Sequence, residues 1–241
     1  MPTNQQRIDR MSEENPVIRF VVATRQSEQD FHTGTALGKS LSLYPFPLIE
    51  IDLYPRNVRG LPAVYNLSIE KAREKPAILV FAHDDIYLTD FFWINSIQNA
   101  LRHFEIAGLA GNRRRVPGQP AWGFIDEDLT WDRPEFLSGV VGHGFGFPPS
   151  DLSFFGAPGQ EVKLLDGLLL ISRSETLIKH NLRFDEIFDF HFYDMDFCRS
   201  AEAKGVRMGT WPLSVVHESD GHFGSDSWRS ALKKYRQKWG S

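Results

Sequence analysis

The sequence predicts an α/β fold in which a mostly parallel central sheet carries helices on both faces. Three observations carry that prediction. Apolar, β-branched runs alternate with segments of helical spacing through residue 112, the order of parallel strands joined by crossover helices. Several of those runs end in polar or acidic residues, and ligands of open α/β sheets bind at the carboxyl edge. From 113 to 159 the alternation gives way to a proline- and glycine-rich stretch, then resumes.

Residues 1–15 read as a mobile polar leader and 16–241 as a single domain. Val17 to Ala23 is a strand ending in Thr24-Arg25. His32 to Leu43 is a candidate helix, weakened by Gly34 and Gly38. Leu48 to Asp52 is a second strand that ends in a carboxylate. Pro62 to Ala72 has Val64, Leu67, Ile69 and Ala72 near helical spacing, with proline in its first turn. Ala77 to Ala82 is a buried strand running straight into His83-Asp84-Asp85. Thr89 or Asp90 then caps a helix with Phe91, Ile94, Ile97, Leu101 and Phe104 on one stripe.

Ile106 to Ala110 is a further short strand. The 113–159 stretch is an irregular insertion with at most short strands, and its aromatic residues make it a folded, ligand-facing surface. Order returns over Val162 to Ser172, followed by a helix from about Ser174 and another from Tyr193 to Ala203, closed by Lys204-Gly205. Short strands at 206–208 and 213–216 precede an amphipathic helix over 226–239. Its stripe of Trp228, Leu232, Tyr235 and Trp239, with a basic remainder, fits two roles: packing on the sheet or lying on an anionic membrane. Packing is the expectation.

Composition limits the chemistry. At 241 residues with 41% hydrophobic residues, the chain can bury a full core. A net charge of -4 gives no general attraction to nucleic acid, so no nucleic-acid partner is expected. No run approaches a transmembrane span, and the amino-terminal residues lack a signal-peptide core. A cytoplasmic protein, with contact at the inner face of the membrane as the variant, is the expectation. The single cysteine, Cys198, excludes a cysteine-built zinc site.

Asp84, Asp85 and His217 all end predicted strands, so they converge at one sheet edge. Oxygen ligands with one imidazole suit Mg²⁺ or Mn²⁺. Strand alternation puts His83 and Asp85 on one side and Asp84 on the other. An acidic turn capping the next helix, and a structural histidine at 217, explain the same letters without a metal. His217 and His222 stand five apart with Gly221 between, which fails the four-residue helical spacing of a zinc protease. Asp194 and Asp196 open the Tyr193 helix roughly 200° apart around its axis, so they cannot share a role. Asp194 projects as a candidate general base, whereas Asp196 is placed to pair with Arg199; simple helix-dipole charge is the competing account of both.

The order of these motifs resembles a GT-A glycosyltransferase of the family 2 type, and within it the short bacterial glycosyltransferase-like branch. The matching pieces are Thr24-Arg25, the strand ending at Asp52, Gly60 through Asn66, Leu79 through Asp85, Leu165-Asp166-Gly167, Phe184-Asp185-Glu186, Tyr193 through Asp196 and Val215-Val216-His217. The resemblance implies a metal-dependent inverting transfer from a nucleotide-diphosphate sugar to a glycan or lipid-linked acceptor, with Mn²⁺ or Mg²⁺ as cofactor. It implies Asp85 and His217 on the metal, Asp194 as base, and Thr24, Arg25, Asp52, Asn66, Asp84 and Asp166 around donor and sugar. Three features depart from the family: Thr24-Arg25 stands where its first-strand Pro-x-Tyr-Asn signature is expected, His83 replaces its first acid, and Tyr193 its glutamate. A metal-dependent phosphoester hydrolase or deacetylase, and a non-catalytic glycan-binding protein, are the alternatives.

Overall fold

A computed structural model describes residues 16–44, 49–219 and 223–240. The first strand, β1 (Ile18–Ala23), is buried along almost its whole length, as a central strand must be. It leads into two short helices, α1 (Glu28–Gly34) and α2 (Ala36–Ser42), where the sequence predicts one. Thr35 breaks them: its backbone is extended, and its hydroxyl caps α2 by accepting from the Gly38 amide. Then follow β2 (Ile49–Tyr54), α3 (Leu61–Lys71) and β3 (Ile78–Ala82). β1 pairs in parallel with β2 on one side and β3 on the other. The chain thus reverses its direction of travel across the sheet at β1, which opens a crevice between the carboxyl ends of β1 and β3.

After β3 come β4 (Ile86–Leu88), α4 (Trp93–His103), β5 (Ile106–Gly108) and β6 (Ala110–Asn112). The predicted stripe of α4 is partly corrected. Phe91 lies outside the helix and is exposed, Asp90 forms a turn by accepting from the Phe92 amide, and Trp93 is the buried anchor, edge-on to Phe20. The 113–159 stretch is regular over about a third of its length. β7 (Leu137–His143) and β8 (Asp151–Gly156) pair as an antiparallel hairpin, in which β7 is buried over most of its length. β9 (Leu164–Leu165), β10 (Leu169–Arg173), α5 (Ser174–Lys179), α6 (Tyr193–Ala203), β11 (Met208–Thr210), β12 (Val215–His217) and α7 (Asp226–Trp239) complete the described chain.

Two sheets result. The first has the order β11-β5-β10-β3-β1-β2, with β10 antiparallel to both neighbours and the other pairs parallel. The second runs β4-β12-β7-β6-β9, with β8 on β7. The chain crosses from one sheet to the other five times: between β3 and β4, β4 and β5, β5 and β6, β9 and β10, and β11 and β12. The first and fourth crossings are His83-Asp84-Asp85 and Asp166-Gly167-Leu168. The motifs that carry chemistry therefore sit on the seam between the sheets. The leader (1–15), Leu48 and His222 lie outside the described residues.

Candidate active site

At the β3–β4 crossing the Asp84 and Asp85 side chains diverge, as alternation requires. Asp84 turns to the β1–β3 crevice, where its Oδ2 accepts from the Thr24 hydroxyl at 2.5 Å. Asp85 turns to β12, which is antiparallel to β4 with His217 opposite Ile86. There His217 Nε2 lies 3.4 Å from Asp85 Oδ2, and the Ser219 hydroxyl donates to that oxygen at 2.7 Å. His83 Nδ1 is 4.0 Å from Asp85 Oδ1. The three residues offer ligand atoms that all lie within 4.8 Å of one another.

The local hydrogen bonds leave His83 and Asp85 open to a cation, while His217 Nε2 lies 3.0 Å from the Ser219 hydroxyl oxygen. The Tyr193 hydroxyl donates its one proton to the Gly167 carbonyl at 2.7 Å, so its oxygen accepts from His83 Nε2 at 3.1 Å. That leaves the lone pair of His83 on Nδ1, facing Asp85. Burial lowers the His83 pKa, despite the neighbouring carboxylates, and keeps the ring neutral. Asp85 Oδ1 is buried with no hydrogen-bond partner among the described residues, a costly state for a carboxylate oxygen. Burial pushes the Asp85 carboxyl up, but the hydrogen bond from His217, together with the adjacent imidazoles and the Ser219 hydroxyl, outweighs it and brings it to about 2. Ligands about 2.1 Å from a first-row cation stand about 3.0–3.4 Å apart, so small side-chain adjustments close the trio.

The second cluster lies at the β9–β10 crossing. The Gly167 amide donates to Asp194 Oδ2 at 3.0 Å, and the Met195 amide donates to Oδ1 at 2.8 Å. A Cβ on Gly167 would stand 2.4 Å from the Tyr193 hydroxyl oxygen, so only glycine lets this turn pack on the start of α6. Asp166 is anchored by its own turn, accepting from the Leu168 amide at 2.7 Å, and by the Trp122 indole N–H. Enclosure, then the nearby Asp166 charge, push the Asp194 carboxyl up to about 7 against its two amide donors. The Tyr193–Gly167 unit joins the clusters, touching His83 on one side and Asp194 on the other.

No protein-family model matches this chain, and no curated protein matches it in sequence. Among solved structures, GalNAc-T7 with UDP, GalNAc and Mn²⁺ aligns with 95% of this chain, at 10% identity and a TM-score of 0.54. The fold is GT-A-like. The match covers 49% of the GalNAc-T7 chain, so the present chain spans about half that length. A197 from STIV matches 87% of this chain and 97% of its own at 10% identity, with a TM-score of 0.45.

Within this GT-A-like fold, Thr24, Asp84, Asp85, Asp166, Asp194 and His217 gather along the seam, and other expected residues do not. Asp52 does not end its strand; β2 continues to Tyr54, and Asp52 accepts from Ser68 at 2.8 Å and from Lys71 at 3.5 Å. Asn66 spends its amide on Phe184 and Glu186, tying α3 to that loop. Arg25 is exposed at the end of β1. Asp196 pairs with Lys238 at 2.7 Å and accepts from the Trp239 indole, so the predicted partner Arg199 is displaced; its guanidinium lies over the Trp239 ring. Sequence reasoning missed three supports: Ser219, Tyr193 and Trp122. Ser219 had a weak signal, standing two residues after His217 just past the end of β12. Trp122 had no local signal.

Proposed function

We propose that this protein is a metal-dependent inverting glycosyltransferase using a nucleotide-diphosphate sugar. The observation that carries the reading is the His83–Asp85–His217 trio, with its orphaned Asp85 oxygen, on the seam of a GT-A-like fold. These three residues would hold a divalent cation, and two imidazoles beside one carboxylate favour Mn²⁺ over Mg²⁺. When bound, such a cation offsets the charge that develops on the departing diphosphate. The Thr24–Asp84 pair, at the β1–β3 crevice, orients the donor. Asp194, with a pKa near neutrality, takes the proton from an acceptor hydroxyl. That oxygen attacks the anomeric carbon, and the nucleoside diphosphate leaves from the opposite face with the bonding electron pair. One displacement inverts the anomeric configuration.

Calorimetric titration of UDP-, GDP- and dTDP-sugars with and without Mn²⁺ tests the reading. Wild-type protein should bind one of them only with Mn²⁺, and Asp85→Asn should lose that binding with an unchanged circular dichroism spectrum. Equal binding by both proteins would remove the metal assignment. The two-histidine, one-carboxylate donor set also suits a catalytic zinc, which favours a hydrolase as the second reading. Release of phosphate or acetate from a substrate lacking any nucleotide would select it.

A further inference from the structure

Outside the trio, the described residue that stands out is Trp131, which is 50% exposed yet held on several sides. Its backbone bridges Phe124, and the next residue, the buried Asp132, is fixed by Asn112 and Arg114. The indole lies on Gly123, where a Cβ would come within 2.4 Å of its ring. Ring centroids of Phe124, Phe155 and Trp122 stand 4.5, 5.5 and 5.9 Å away. Phe223, itself 43% exposed, extends the wall from Phe124 at 5.1 Å. Trp122 also donates to Asp166, which neighbours the turn that binds Asp194. A rigid aromatic wall thus runs from solvent to the edge of the catalytic carboxylates.

We propose that Trp131 is the platform of an acceptor subsite for a neutral carbohydrate, with a pyranose ring stacked on the indole. This rests on the glycosyltransferase reading and gives its acceptor a chemical class. A pyranose has an apolar C–H face for the ring and hydroxyls at its rim. The wall offers matching partners: the Asp166 carboxylate and the Trp131 indole N–H, which has no partner among the described residues. An acyl chain would leave the Trp131 indole N–H unmet. The adjoining turn carries Asp126, Glu127 and Asp128, which disfavours a phosphate-bearing ligand or an anionic surface.

The test is a titration of ¹⁵N-labelled full-length protein with cellobiose, lactose and chitobiose, without donor or metal. The Trp131 indole N–H signal, assigned from a Trp131→Phe spectrum, should move with at least one disaccharide, while that of Trp239, bonded to Asp196, stays. In turnover, Trp131→Ala should raise the acceptor KM about tenfold and spare the donor KM. A Trp131 signal unmoved by every disaccharide overturns the proposal, as does movement with anionic vesicles alone. The wild-type titration needs no variant to fold. Disaccharide binding at Trp131 without any nucleotide-sugar turnover keeps the platform and rejects glycosyl transfer. Turnover with unchanged Trp131→Ala kinetics does the reverse.

Discussion

At Asp194 enclosure and backbone donors pull one carboxyl in opposite directions, and enclosure prevails. Its pKa of about 7 lies well above the usual carboxylate range. The contribution to stability is therefore full at acid pH and is lost as pH rises through about 7, where the folded state must ionise a sheltered group. Asp194→Asn removes that loss. Its melting temperature relative to wild type should climb by a few degrees between pH 5 and pH 8, read by scanning calorimetry. The same ionisation produces the active base, so wild-type kcat/KM should rise with pH and level off above about 7. A pH-independent difference in melting temperature would mean that Asp194 stays ionised throughout.

Helix α7 shows how one element serves the core. Its Trp228, Leu232 and Tyr235 are buried, with Phe192 5.6 Å from Trp228 and 5.3 Å from Tyr235. Lys238 and Trp239 meet the buried Asp196 carboxylate, which has no other charged partner among the described residues. The helix is a piece of the core, as expected, and its apolar face is not available to a membrane. Leu232→Ala should cost about 2–5 kcal/mol in urea unfolding. Deleting 226–241 should yield a protein that fails to unfold cooperatively, since Asp196 and Phe192 are both uncovered. A cooperative, wild-type-like transition in that deletion would contradict this account. The run Arg113-Arg114-Arg115, read alone, looks like a phosphate clamp, but Arg114 pairs with Asp132 and Arg115 with Glu202 at 2.7 Å.

Across the whole molecule, the site lies where the two sheets meet. His83 and Asp85 leave β3 of the first sheet, and His217 belongs to β12 of the second. A cation held by all three would cross-link the sheets in the folded state alone. At a hundredfold excess over Kd, that linkage is worth about 2.7 kcal/mol, or roughly 5–10 °C for a chain of this size. Thermal melts should therefore shift upward with Mn²⁺ concentration, return with EDTA, and stay flat for Asp85→Asn. No helix among the described residues is long and apolar enough to cross a membrane.

The sequence by itself determined which residues form the central strands and where their carboxyl ends lie. Burial on both faces demands continuous apolar runs, and β1 and β3 have them. It also determined that His83 and Asp85 share a side while Asp84 faces the other way, because strand alternation is a local rule. The helices Leu61–Lys71, Tyr193–Ala203 and Asp226–Trp239 were readable from spacing, proline and glycine. Only the tertiary structure decided that the chain changes sheets at its chemical motifs. A one-residue switch such as Leu109, between β5 and β6, looks like one strand in the letters. It alone decided that Asp52 and Asn66 are spent on α3 and its loop, and that Asp196 belongs to Lys238. Those pairings join residues 16 to 120 positions apart, and no local preference encodes which distant charge arrives first. It also coupled two of the departures from the glycosyltransferase pattern: Tyr193 holds the proton-bearing nitrogen of His83, so the lone pair of that ring faces Asp85.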